Sequence, residues 1–368
     1  MSHYLSRSRL LLVVCMLGLL AGCAMQPRGA DRSLLEPGAA DDLGYRLNWT
    51  RNLGLPPSQQ LASVTVLDDV IVVIERPGNM VTALSVDDGR ELWQVVLDRS
   101  SQQLFRPMRD GDNLYLASGS RLYTLNVRTG AERGLVNLRH YVSADPVLLN
   151  DKVFFAAATG RIFTWDLQRG APARDYALST RITAPLTMAG AGVFATDVHG
   201  QYALIDPVAV RPVWPVGRTF DAITAAPALD RLSIFIASED GSLYAIDRYS
   251  GRDRWPAYRT TARLTQPPKV FGQQVFLPVP GEGLVAINAT DGEEQWRLPV
   301  QVTPAAMRGE GRLIAFDETG IYLIDAVRGE TLRRIESRQP LQEVVPVADG
   351  SLVVVSRHGQ LIRLMPGR

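Results

Sequence analysis

Side chains able to do acid–base or metal chemistry are thinly spread along this chain. The four histidines, His3, His140, His199 and His358, lie far apart and in no ligand spacing, whereas a metal or catalytic centre needs several donors converging on one point. His199 and His358 each precede a glycine, in a place taken elsewhere by Pro77, Ser118, Thr159 and Asp240, so both read as turn residues. No Gly-x-Ser-x-Gly elbow, His-Glu-x-x-His pair or phosphate-cradling glycine loop occurs. The sequence therefore points to no catalytic residue, no metal and no cofactor.

What does recur is a carboxylate or amide at a fixed interval. Ser85, Asn126, Asp166, Asp206, Asp247, Asn288 and Asp325 follow one another at steps of 37 to 41 residues, and Met365 stands in the same place of a final copy. The clearest unit is 241–255, with a glycine turn, the apolar run Leu243–Asp247, a second turn ending at Gly251, and Trp255. In all eight copies the residues one and four before the index position are apolar, from Leu84 and Val81 to Leu364 and Leu361. Side chains three apart on a strand point to opposite faces, so this strand is buried on both sides. A repeat of about 40 residues carrying several such strands predicts an all-β, eight-bladed β-propeller of four-stranded antiparallel blades. The last copy stops after its third strand, while Trp49 sits in an unmatched strand near the start. The N-terminal strand is thus expected to complete the last blade and remove an open edge.

Ahead of this ring, residues 1–23 carry Arg7 and Arg9, an apolar core Leu10–Leu20 and the ending Leu20-Ala-Gly-Cys23. A charged start and a short apolar core predict a secretory signal. The ending resembles the bacterial lipobox, which implies cleavage before Cys23 and lipidation of that residue; Ala24 after it implies the outer membrane. Residues 24–44, rich in Ala, Gly, Pro and Asp, are expected to form a flexible tether with a coil reach of about 25 Å, leaving 45–368 as the propeller. Without Arg7 and Arg9 the remainder holds 37 basic against 38 acidic residues, with no concentrated basic surface of the kind a nucleic acid needs.

Proline recurs ahead of the expected inner strands, at Pro107, Pro146, Pro185, Pro227, Pro268, Pro304 and Pro346, where a missing amide donor is tolerated. The loops before these prolines open on one end of the central channel and carry polar residues, among them Ser143, Asp145, Arg181, Asp221, Thr224, Gln301, Gln342 and Glu343. Variable polar loops on a rigid ring are where such a fold places function. The tryptophans Trp93, Trp214, Trp255 and Trp296 share one repeat position, which favours docking of neighbouring blades over ligand stacking.

The Asp, Gly and Trp of Asp247, Gly251 and Trp255, repeated as Asn288, Gly292 and Trp296, are similar to the repeat of pyrroloquinoline-quinone-type propellers. With the lipobox, tether and blade count, the chain more closely resembles the outer-membrane β-barrel assembly lipoprotein B family. That resemblance implies a non-enzymatic adaptor, held at the outer membrane facing the periplasm, that docks on the barrel-assembly protein. Leu178-Ser-Thr-Arg181 before Ala184-Pro185 is similar to the family's docking segment. It implies Leu178, Thr180 and Arg181 as partner-binding residues, with Asp221 the first acid of a second docking element whose other acid is missing here. Two alternatives stay open: a propeller lipoprotein that binds another envelope partner or polymer, and a quinone-dependent dehydrogenase, whose adjacent cysteine pair this chain lacks.

Overall fold

The computed structural model describes residues 33–97, 102–309 and 311–367. The signal segment, Cys23 and the first part of the tether lie outside the described residues. Thirty-two strands form eight four-stranded antiparallel sheets in a ring. In chain order we call them blade 1 (60–96), blade 2 (108–137), blade 3 (142–177), blade 4 (187–218), blade 5 (228–259), blade 6 (269–298), blade 7 (303–336) and blade 8 (341–366). The strand Tyr45–Asn52 pairs with Gln360–Pro366 and becomes the outer strand of blade 8. The eight-bladed ring closed by its N-terminal strand is the architecture the repeat predicts.

The apolar columns of the repeat do the packing expected of them. Each core cluster is drawn from two facing sheets: Phe235, Ala237 and Leu243 of blade 5 meet Val275, Leu277 and Val285 of blade 6, and Val353 and Val355 of blade 8 meet Ile71 and Val73 of blade 1. Both faces of the inner strands are therefore desolvated, the dominant favourable term in folding.

The recurrent tryptophan joins one blade to the next. Trp49, Trp93, Trp214, Trp255 and Trp296 donate their indole N–H to Val86, Val127, Arg248, Ala289 and Ala326 carbonyls of the following blade. Each ring also lies on that blade's turn glycine: a Cβ at Gly89, Gly130, Gly251, Gly292 or Gly329 would come within 2.5–2.7 Å of the indole. Blades 2, 3 and 7 carry Gly134, Arg174 and Arg333 where the tryptophan stands elsewhere. Correspondingly Gly170 has open space around it, and the next turn position is Val210, at φ 53° and buried. A β-branched residue in that region is strained; its burial in the blade 3–4 core offsets the cost. The index carboxylates cap these turns, as Asp206 Oδ1 does by accepting the Val208 and Ala209 N–H groups at 2.9 and 2.6 Å, the usual asparagine and aspartate turn chemistry.

Two sequence expectations need correction. Pro346 is the last residue of Leu341–Pro346 rather than its first, and Pro146 lies inside Val142–Leu149, where the pairing shifts register between Ala144 and Val147. More consequentially, the tether does not run free to residue 44. Leu34, Leu35, Ala40 and Leu43 are buried against Ile335, Leu341 and Leu364 of blades 7 and 8, with a short helix Ala39–Asp42 between them. The Leu34 carbonyl accepts from Arg338 N at 2.9 Å and Ser337 Oγ at 3.3 Å, and Arg338 reaches Glu36 at 2.9 Å. The composition of 24–44 looks like a linker, but three leucines suffice to pin its second half in an apolar groove.

Blades 4 and 5 differ in their outer strands, which keep only the paired residues Gly217–Arg218 and Tyr258–Arg259. Pro207, Pro212, Pro215 and Pro256 interrupt these segments, and each removes a ladder donor.

Trp49→Ala should cost about 3–5 kcal/mol, as large aromatic truncations in cores do, although Trp49 lies three hundred residues from its strand partner. Thermal melting beside the parent checks this, and equal midpoints would refute a shared blade 8. Leu34→Ala should cost about 2–5 kcal/mol by the same measurement, an effect absent if residues 33–44 were a solvated linker.

Candidate docking face

The loops that leave an outer strand and enter the next inner strand gather at one end of the channel, and the sequence-predicted residues fall on two adjacent ones. In the loop from blade 3 to blade 4, Leu178 is buried beside Ile182 and Leu186; it supports the loop from beneath. Thr180 is half-buried, and its carbonyl lies so close to Gly160 that a Cβ there would meet it at 2.4 Å. Arg181 is exposed and makes no ion pair or side-chain hydrogen bond with another described residue. Its backbone is nonetheless fixed, because its carbonyl accepts Val198 N–H at 3.0 Å while Ser179 Oγ donates to buried Asp197 at 3.1 Å.

Asp221 stands on the next loop, between blades 4 and 5. Its Oδ1 accepts the Ala222 N–H at 2.8 Å and its carbonyl accepts Thr219 Oγ1 at 2.7 Å. Its free oxygen faces Arg263 at 3.6 Å, and Arg263 also reaches Glu239 at 3.2 Å. Arg181 and Asp221 are thus not an ion pair. They belong to neighbouring loops joined by the hairpin turn Asp197–Gly200, whose Asp197 carbonyl accepts Ile223 N–H at 3.4 Å. The Arg263 pair is mostly exposed, a geometry worth about 0–1 kcal/mol, so it orients Asp221 without holding the fold.

Several other mouth residues are ties between neighbours rather than free groups. Ser143 Oγ donates to Ile182 O at 2.7 Å, Thr224 Oγ1 to Glu239 at 3.0 Å, and Gln342 Nε2 to Leu61 O at 3.2 Å. Pattern reading missed a charged group that only ring closure assembles. A cavity of 660 Å³ at the mouth is lined by Arg106, Asp145 and Lys269. Arg106 reaches Asp145 at 3.5 Å and Glu343 at 3.4 Å, joining blades 3 and 8. Burial pushes the Glu343 carboxyl up against the pull of Arg106 and Lys269, and burial with the Arg106 charge pushes the Lys269 ammonium down. Among the described residues, no three His, Cys, Asp or Glu side chains converge as a metal site.

The family model described as outer membrane protein assembly factor BamB matches residues 45–176, 140–257 and 213–320. The chain belongs to this family. No curated protein sequence matches it. Among solved structures, BamB from Moraxella catarrhalis is similar with a TM-score of 0.68 at 20% identity, over 86% of this chain and 97% of that one. The computationally designed Ika8 protein has a TM-score of 0.71 at 15% identity, over 87% and 99% of the two chains. Quinohemoprotein alcohol dehydrogenase ADHIIG from Pseudomonas putida HK5 has a TM-score of 0.68 at 14% identity, over 89% and 77%. At these identities the likeness is one of fold, shared by an assembly factor, a design and an enzyme alike.

Within this BamB-family propeller the channel charges make a separate, testable statement. The folded-state pKa of Glu343 is raised above its ordinary 4.5 by burial, so its charge opposes folding at neutral pH and ceases to do so as pH falls through the raised value towards 4.5. Glu343→Gln should therefore raise the melting temperature at pH 7, and the gain should vanish at and below about pH 4.5. Melting curves across that range check it; a gain that persists in acid would contradict the burial origin of the shift.

Proposed function

We propose that this chain is a lipid-anchored, non-enzymatic scaffold of outer-membrane protein assembly, tethered through Cys23 at the periplasmic side of the outer membrane. In this reading it docks on the barrel-assembly protein through the loop carrying Thr180 and Arg181, with Asp221 on the adjoining loop. The observation that carries the reading is Arg181 itself: an exposed, unpaired guanidinium whose backbone is fixed on a rigid ring, in a chain whose family is that of an assembly factor. Arginine held this way is pre-organised for a carboxylate partner.

The test is co-purification of the barrel-assembly protein with the membrane-bound chain, alongside thermal melting. Arg181→Glu should abolish capture, because reversal removes an attraction and adds a repulsion, and an interface arginine anchor is worth about 2 kcal/mol or more. Melting should shift by less than about 0.5 kcal/mol in stability, as for surface changes generally. Undiminished capture by that variant would eliminate this loop as the site. Cys23→Ala should move the protein from the membrane fraction to the soluble one; persistence with the outer membrane would show that the lipid is not the anchor.

A further inference from the structure

Beside the loops already discussed, the mouth face presents a large apolar side chain that nothing in the fold uses. Phe220 is 84% exposed, more than any other exposed large hydrophobic residue described. Scattered exposed apolar residues are ordinary; this one sits on a tied backbone that at the same place of the next repeat carries the polar Thr261. Its N–H donates to Asp240 Oδ2 at 3.0 Å. The residue before it, Thr219, is buried, donates its N–H to Gly200 O at 2.9 Å and its hydroxyl to Asp221 O at 2.7 Å. Asp221 in turn accepts from Ala222 N, and Asp240 is held by the Tyr244 hydroxyl at 2.7 Å. Residues on both sides of Phe220 are tied down, so the ring projects into solvent from a fixed base and loses little freedom on being covered.

The charges around it are unequal. Arg218, two residues earlier, is exposed and makes no ion pair among the described residues; its Nε donates to His199 O at 3.3 Å. That carbonyl belongs to the same hairpin turn whose Val198 fixes Arg181. Phe220 therefore stands with two exposed guanidinium groups about one turn, neither in an ion pair among the described residues. The nearby acids are less exposed: Glu239 and Asp240 are half-buried, and Asp221 and Glu239 are paired with Arg263.

We infer that Phe220 is the apolar anchor of the docking face, and that its counterpart is an apolar socket rimmed by carboxylates on a folded protein. This rests on the docking reading above and adds the chemistry of the partner's surface to it. An aromatic ring buried in a socket and ringed by charged contacts is the arrangement that concentrates binding energy in a few residues. A lipid surface fits less well, because one ring with two cations gives neither the apolar area nor the charge density that membrane binding requires.

The experiment places a photo-crosslinking phenylalanine analogue in the full, membrane-bound chain at position 220, at position 180 beside the retained Arg181, and at Val327, which is 73% exposed in the blade 7 turn. Products are probed for the barrel-assembly protein. Crosslinks from 220 and 180 but not 327 are expected. In parallel, Phe220→Ala should weaken capture of that protein by about thirtyfold, the loss of one anchor, with unchanged melting; Arg218→Glu should weaken it, and Phe220→Trp should retain it. Crosslinking from 180 without 220, or full capture by Phe220→Ala, overturns the inference and leaves the Arg181 docking reading standing. Crosslinking from neither position overturns both, and a lipid adduct at 220 in place of a protein one overturns the inference by assigning the ring to the membrane.

Discussion

The ring depends on one contact, the tryptophan of one blade laid on the turn glycine of the next. It combines a large buried aromatic area with an indole hydrogen bond to the following blade's backbone, so it fixes both the distance and the rotation between sheets. The glycine has two reasons to be glycine: its left-handed φ, and the indole face where its Cβ would be. At the three junctions without the tryptophan, which follow blades 2, 3 and 7, that constraint disappears, and the blade 4 turn carries Val210 at the cost of backbone strain. Trp49 extends the same contact across the point where the chain's ends meet, with Arg363 buried behind it and donating to the same Val86 carbonyl. The closing blade is thus docked on blade 1 as the others are docked on their neighbours.

A rigid ring turns short connections into a defined surface. The loops at the mouth are tied to neighbouring blades through Ser143, Asp197, Thr219 and Gln342, which leaves Arg181, Arg218 and Phe220 exposed on fixed backbone. Blades 4 and 5 have proline-broken outer strands just below this region, and prolines at a sheet edge discourage pairing with another chain.

The chain enters the ring on the same face. Leu34 is held by Ser337 and Arg338 in the mouth loop between blades 7 and 8, and in a ring of eight that junction lies across from the one between blades 3 and 4 that bears Arg181. The Leu34 contact and the loops that carry Arg181 and Asp221 therefore lie on opposite sides of one mouth.

Much of this was legible in the sequence because it is periodic. A 40-residue interval with two apolar columns specifies a strand buried on both faces, a truncated last copy with an orphan Trp49 specifies the closure, and the pairing of tryptophan with the next glycine can be read position by position. The candidate residues Thr180 and Arg181 were found by motif, and Leu178 with them, although only the structure places Leu178 in the core. Non-periodic features were not legible. The leucines of residues 33–44 are too few to alter a linker-like composition, yet they meet a groove that exists only once blades 7 and 8 stand side by side. Arg106, Asp145, Lys269 and Glu343 come from four blades, and Phe220 stands where the next repeat carries Thr261. Their proximity to one another, and to Arg181, is set by ring closure. Sequence spacing encodes which strands form and how sheets stack, because those contacts recur at fixed separation; a site assembled once, from residues hundreds of positions apart, is decided by tertiary packing alone.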